Sequence, residues 1–310
     1  MKVRAEDFKD GYHDYAIRNG GLQVFPRLVA EPPAPPSAEE GEDVLPSPDL
    51  DGFLSGVAPL DAIMGGKVER GTTTLITGPS GVGKSTLTGQ YVHAAVKRGE
   101  FCAVFLFDER RHAWLARLAG IGIDFGQSQS AGLLSVEHIN PAELSPGEFA
   151  HRVRCHVEEN DARVIVIDSL NGYEMSMPGE RNLALHLNEM SEYLNQRGAN
   201  AFLTLEQQGL LGNVKAASSV TYIADNVILL RYFEAFGEVR RALSVIKKRM
   251  GSHERSIREF TISSDEGLAV GKPTRDFNGV LSGSLTYVGL SRDTMATADA
   301  LIGSESAGQS

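Results

Sequence analysis

The chain has 310 residues, enough for one large domain or two small ones around a sizeable buried core. Its 42% hydrophobic and 23% charged fractions are those of an ordinary soluble globular protein, and a net charge of −10 leaves no whole-chain electrostatic footprint for nonspecific nucleic-acid binding. No apolar run reaches the roughly 18–20 residues of a membrane span, and the first residues are polar and charged rather than leader-like, so the expected setting is the cytoplasm with no membrane partner.

The opening "MKVRAEDFKDGYHDYAIRNGGLQVFPR" (1–27) alternates apolar and polar residues and then breaks at "NGG". This predicts two strands and a turn, and a lone hairpin is marginal in water, so it must find a partner. "EPPAPPSAEEGEDVLPSPD" (31–49) holds six prolines and six acidic residues and reads as a linker, too polar for a core and stiffened by proline. "TTTLITG" (72–78) is a short strand entering a glycine loop, and "STLTGQYVHAAVKRGE" (85–100) has helical periodicity. "FCAVFLFDE" (101–109), "ARVIVIDSL" (162–170), "ANAFLTLEQ" (199–207), "DNVILLRYF" (225–233) and "ALSVIKKR" (242–249) read as strands, with a helix over about 182–197. Near-continuous aliphatic strands separated by helices predict an α/β fold, a mainly parallel sheet with helices on both faces. Cys102 and Cys155 lack metal-type spacing and are expected as buried small residues. The final stretch is small and polar and is expected to fray.

"GPSGVGKST" (78–86) fits G-x-x-x-x-G-K-[ST] between a predicted strand and a predicted helix, the context that gives the pattern meaning. Gly78, Gly81 and Gly83 let the backbone of Ser80, Val82 and Thr86 curl, so that N–H groups face phosphate oxygens at a helix N-terminus. Lys84 would neutralise the β- and γ-phosphates of ATP, and Ser85 would hold Mg²⁺. Asp168 ends the buried run "VIVID", where it would serve the metal's water shell; a plain strand-end cap is the alternative. Asp108 and Glu109 end another apolar strand, expected next to the phosphate-loop strand. One of them would orient or deprotonate an attacking water, and the alternative is a cap on the helix beginning near Arg110. Glu109 is the preferred base, and it joins Ser85 and Asp168 as a candidate metal ligand.

The opening hairpin has a second copy. In "KKRMGSHERSIREFTISSDEGLAV" (247–270), Lys247, Arg249, Glu259, Phe260 and Ile262 match Lys2, Arg4, Asp14, Tyr15 and Ile17 at one offset. After one inserted residue, Gly267, Leu268 and Val270 match Gly21, Leu22 and Val24. Two hairpins but one phosphate loop suggest a tandem-domain protein from which most of the first copy is absent. Residues 1–27 would then be loosely held.

Residues 53–289 resemble the KaiC family of RecA-like ATPases, in particular the second ATPase domain of its two-domain members. The resemblance rests on "SGVAPLDAIMGGKVERGTTTLITGPSGVGKST", on "FLFDER" with Asp108 in place of the usual first glutamate, on "RRALSVIKKRMGSHERSIREFTIS", and on "GVLSG" near residue 280. "GYHDYAIRNGGLQVFPRLVA" is similar to the end of such a protein's first domain. The organisation this implies is a remnant hairpin at 1–30, a linker at 31–50, a KaiC-like ATPase domain at 51–289 and a tail at 290–310. The resemblance also implies a hexameric ring binding ATP–Mg between subunits, with Lys247 and Arg249 reaching the neighbour's γ-phosphate and Arg241 and His253 near the same interface. A solvated basic strand edge is the alternative for these cations. The family's autophosphorylated Ser-Thr pair is here Thr221-Tyr222, with Ser218 and Ser219 nearby, which puts serine/threonine autokinase activity in doubt. Its adenine-stacking tryptophan is here Ile121, and Gln207 falls where a γ-phosphate sensor often lies.

The leading expectation is a Mg²⁺-dependent ATPase acting in signalling or regulation. A nucleotide-gated ring scaffold for a protein partner is a second reading. A RecA-like DNA-handling role is a third, disfavoured by the lack of a basic, aromatic-interleaved track.

Overall fold

The structure, a computed structural model, describes residues 13–28, 52–140, 144–175, 183–207, 218–274, 277–278 and 286–287. In chain order the elements are β1 (Asp14–Arg18), β2 (Gly21–Phe25), β3 (Gly52–Phe53), α1 (Ala58–Ile63), β4 (Val68–Glu69), β5 (Thr73–Gly78) and α2 (Lys84–Lys97). There follow β6 (Cys102–Leu106), α3 (Arg111–Ala119), α4 (Gly126–Ser130), β7 (Leu134–His138), α5 (Pro146–Asn160), β8 (Val164–Asp168), α6 (Leu170–Met175), α7 (Leu183–Gln196) and β9 (Asn200–Glu206). The last are α8 (Ser218–Thr221), β10 (Asn226–Ala235), β11 (Glu238–Lys248), β12 (Arg258–Ser263), β13 (Gly267–Pro273), β14 (Phe277–Asn278) and β15 (Thr286–Tyr287). The linker, the "GVLSG" motif and the final stretch lie outside the described residues, as does the chain before His13.

Nine strands form one sheet in the order β13-β12-β11-β10-β5-β9-β8-β6-β7. From β10 to β7 every pairing is parallel, whereas β10 through β13 pair antiparallel, so the expected mainly parallel sheet carries an antiparallel extension. The aliphatic strands are buried on both faces because helices cover both. Ile76, Val104 and Leu106 pack with Leu87, Tyr91, Trp114 and Leu118 of α2 and α3. Leu75, Ala103 and Phe105 face the other way, onto Phe149 and Val153 of α5 and Leu187 and Leu194 of α7. That alternation along unbroken apolar runs is the period-2 geometry of a strand with two buried faces. One expected neighbour relation fails. β6 does not lie beside β5, because β9 and β8 stand between them. Cys102 is buried as expected, but Cys155 is only half-buried on α5.

The opening hairpin pairs with itself, and among the described residues it adds no strand to the large sheet. Its register repeats that of β12 and β13: Tyr15 faces Val24 and Ile17 faces Leu22, as Phe260 faces Val270 and Ile262 faces Leu268. The inserted residue falls in the turn, where it leaves the pairing intact. Contrary to the expectation of a loosely held segment, the hairpin is anchored on α5. Asp14 Oδ2 accepts a 2.6 Å bond from the Gly147 N–H in the helix's first turn. A side chain at Gly147 would meet the Asp14 Cβ at 2.7 Å, so only glycine admits this approach. Arg18 pairs with Glu148 and Arg27 with Glu189, while Phe25 packs on His151 at 5.5 Å between ring centroids. Phe25 and Leu28 are buried, and burial of such side chains contributes about 1.5–3 kcal/mol each. The equivalent apolar faces differ sharply: Phe260 is 2% exposed, yet Tyr15 is 62% and Ile17 82% exposed.

Phe25→Ala should therefore cost about 3 kcal/mol in urea unfolding, the scale of a buried phenylalanine truncation. Ile17→Ser on the open face should change stability by no more than about 0.5 kcal/mol. Equal effects at the two positions would mean that the hairpin is not held by its Phe25 side.

Candidate nucleotide site

Strand β5 is buried throughout and runs straight into the glycine loop, whose end opens α2. Gly83 caps that helix at φ 115°, a left-handed conformation that L side chains rarely adopt. A Cβ there would lie 2.6 Å from Ile262 Cδ1, so β12 packs directly over the loop. The loop borders a cleft of about 380 Å³ lined by Ser80, Gly81, Gly83, Lys84, Ser85, Thr86, Asp108, Glu109, Asp168 and Arg241, together with Arg117, Ile121, Ser169, Glu206 and Ile262. The expected loop residues thus meet both expected acid groups. Val82 is fully buried, which leaves only its backbone for a ligand, and Gly78 contributes its carbonyl through Lys84.

Lys84 is buried and its Nζ donates to the carbonyls of Gly78 at 3.0 Å and Pro79 at 2.8 Å. Burial pulls its pKa below the ordinary lysine value, opposed by the charges of Glu206, Asp168 and Asp108. Asp168, 8% exposed, accepts a 2.6 Å bond from Thr204 Oγ1 on β9. Burial pushes its carboxyl up, while hydrogen bonds from Ser85 and Thr204 pull the other way. A hydroxyl and a buried carboxylate sharing a hydrogen bond, both oxygen donors, fit a hard cation such as Mg²⁺.

The two adjacent acids are held differently. Asp108 accepts a short bond from the Ser169 hydroxyl, which itself accepts from the Gly172 N–H at 3.3 Å. Glu109 instead pairs with Arg117 of α3 at 2.6 Å. Because β6 is three places from β5, these acids reach the cleft from beyond their strand end: Phe107 N donates to the Asp168 carbonyl, which keeps the two chain ends together.

Several residues were not anticipated. Glu206 ends β9 and lines the cleft; Asn171 Oδ1 accepts from its N–H at 2.6 Å and Asn171 Nδ2 donates to its carbonyl at 3.3 Å. Gln207, the expected sensor, does not line the cleft, and its N–H is spent on the Gly78 carbonyl at 3.0 Å. The rule that found Asp108 and Asp168, an acid closing a buried strand, applied equally to Glu206. Thr204 and Arg117 carried no such signal.

Lys247, Arg249 and His253 lie outside the cleft. Asn226 faces Thr74 on one side and Lys248 on the other, which puts the end of β11 at the start of β5, opposite the loop. Lys247 Nζ donates to the carbonyls of Ala224 at 2.6 Å and Thr221 at 3.3 Å, and Arg249 pairs with Asp225 at 2.9 Å. His253 sits in the segment that joins α1, where the Glu254 N–H donates to the Ile63 carbonyl at 3.0 Å. Arg241 departs from the expected grouping: it lines its own chain's cleft, 6.0 Å from the Tyr232 ring. Thr221 closes α8 and does not line the cleft, and the side chains of Ser218 and Ser219 lie outside the described residues.

A phosphate loop at the end of a central strand, with acids on neighbouring strand ends, defines an α/β P-loop nucleotide-binding domain of the RecA-like type. A family model for the KaiC ATPase matches residues 54–275, and the chain belongs to that family. It is 28% identical over 291 residues to the "Circadian clock protein KaiC3" of Synechocystis sp., a match covering 93% of this chain and 54% of that protein. It is 27% identical to the "Circadian clock oscillator protein KaiC" of Picosynechococcus sp. over 289 residues, and to that of Acaryochloris marina over 292 residues, again covering 53% of each relative. The chain spans about half the length of these curated relatives. Among the described residues no helix is long and apolar enough to cross a membrane.

The raised pKa of Asp168 has a sign that can be tested. The folded chain keeps this proton over a pH range in which the unfolded chain has released it, so stability falls as pH rises through that range. Asp168→Asn removes the penalty. Its thermal midpoint relative to wild type should climb as pH rises above the ordinary aspartate value of about 4, read by scanning calorimetry. A difference that is flat with pH would make Asp168 an ordinary carboxyl.

Proposed function

We propose that this protein binds ATP with Mg²⁺ and hydrolyses it, as a KaiC-family ATPase acting in signalling or regulation. The observation that carries this reading is the convergence of Lys84, Ser85, Asp108, Glu109 and Asp168 on one cleft from three separate segments. Loop N–H groups and Lys84 bind and orient the phosphates, while Ser85 and Asp168 hold the metal. The metal, when bound, supplies charge neutralisation at the phosphates. Glu109 takes the proton of the attacking water, and Asp108, tied to Ser169, keeps the adjoining chain in place. Ile121 and Ile262 offer an apolar wall in place of an aromatic stack. Glu109→Gln should slow hydrolysis by about 10²–10⁴-fold with nucleotide affinity largely kept, measured by phosphate release and calorimetry. A slow Asp108→Asn variant beside a normal Glu109→Gln variant would reverse the assignment.

We further read the working form as a ring of copies, hexameric by family resemblance, in which Lys247 and Arg249 serve the neighbour's nucleotide. Support comes from their position. Lys247 is level with Leu75 and Lys248 with Thr74, about 10 and 13 Å short of Gly78 at ~3.3 Å per residue, and neither Lys247 nor Arg249 lines its own chain's cleft, which suits a role at another copy's phosphates. For the same reason any phosphate transfer to Thr221 would come from nucleotide held by a neighbour. Residues 1–30 are taken as the close of a preceding KaiC-like domain, a reading supported by the shared hairpin register and by relatives' matches that leave only 7% of the chain uncovered. Lys84→Ala and the double variant Lys247→Ala/Arg249→Ala should each be nearly inactive, since a trans-acting cation is worth about 10³–10⁵ in rate. Mixed under subunit exchange, they should regain hydrolysis, most near equimolar ratio. No recovery despite verified exchange would sink the trans arrangement.

A further inference from the structure

Arg117 lies on α3, eight residues beyond Glu109, where no motif points. Its Nε donates to Glu109 Oε1 at 3.2 Å and its Nη2 to Oε2 at 2.6 Å, so the planar fork takes both carboxylate oxygens at once. Its remaining nitrogen, Nη1, donates to Thr86 Oγ1 at 3.1 Å, in the first turn of the helix opened by the phosphate loop. One guanidinium therefore ties the candidate base to the loop, and all three residues line the same cleft. Asp108 is bound to a neutral hydroxyl instead.

We propose that Arg117 is a positioning residue that restrains Glu109 and so limits the rate of hydrolysis, releasing it only in part when phosphate oxygens at the loop compete for the guanidinium. This rests on the reading of Glu109 as the base. Each Glu109 oxygen keeps a second lone pair for water, but a proton arriving there cancels the negative charge that holds a cation which does not itself deprotonate. Proton transfer must therefore weaken one arm of the fork. Phosphate competes well, because it carries more charge and suits the same planar donor geometry. The bond to Thr86 keeps the guanidinium at the loop, where that competition takes place. The pair is partly exposed, with side chains 37% and 31% accessible, so solvent screening makes it a restraint of modest size rather than a lock.

The test uses steady-state hydrolysis by the full chain carrying Arg117→Gln or Arg117→Lys, each with wild-type Glu109 and with Glu109→Gln. Arg117→Gln should raise kcat about twofold to fivefold and also raise KM for ATP, because one change frees the base and removes a phosphate-facing cation. Arg117→Lys keeps the charge without the fork, so its kcat should fall between. With Glu109→Gln present the acceleration should vanish, the non-additivity expected of groups in contact. An unchanged or lowered kcat in Arg117→Gln, or equal acceleration with and without the Glu109 carboxylate, overturns the restraint. If Glu109→Gln alone leaves hydrolysis untouched, the base assignment itself falls. That result is distinct from a restraint that fails on a working base.

Discussion

Parallel strands must all finish at the same edge of their sheet, and the site is a consequence of that constraint. Gly78 lies opposite Glu206 across the β5–β9 pair, and Leu106 lies opposite Asp168 across the β6–β8 pair. Chain segments leaving β5, β6, β8 and β9 therefore emerge side by side, although they are far apart in sequence. The phosphate loop takes one of these exits, and Asp108, Glu109, Asp168 and Glu206 stand at the others. No local folding preference of any one segment could assemble the group. It exists because aliphatic strands buried on both faces admit only in-register pairing, with every backbone N–H and carbonyl satisfied by its neighbours.

Gathering four carboxyl groups in one cleft would be costly without cations, and the structure supplies Lys84, Arg117 and Arg241 among them. The cations are not equivalent. Lys84 is buried against loop carbonyls, Arg117 is tied up by Glu109 and Thr86, and Arg241 leans towards Tyr232. Asp168 keeps a hydroxyl on each side, from Ser85 and Thr204, which offsets part of its desolvation. Such a site holds more buried polar chemistry than stability alone would favour, which is the usual mark of a functional region.

The paired hairpins illustrate how one pattern serves two surroundings. In β12 and β13 the apolar face closes over Gly83 and the start of α2, so the fold depends on it. In β1 and β2 the same face, with the same cross-strand pairing, stands open, and the segment is anchored by its other side on α5. Pairing register follows from alternation and turn length, which both copies share. Burial follows from what lies opposite, and that differs.

How much was legible in the sequence varied by kind of feature. The parallel core, the phosphate loop and the acids of "FLFDER" and "VIVIDS" could be read directly, because continuous aliphatic runs, glycine spacing and strand-end carboxylates each express a local rule. The fork of Arg117 on Glu109, the bond from Thr204 to Asp168, the location of Arg241 in its own chain's cleft and the docking of Phe25 on α5 were decided by tertiary structure. So was the strand order, in which β9 and β8 separate the strand leading to Asp108 and Glu109 from the loop's. The reason is range. Periodicity and turn chemistry act over a few residues and are written in adjacent letters, whereas which strand lies beside which, and which side chain meets a given carboxylate, depends on the packing of segments tens to hundreds of residues apart.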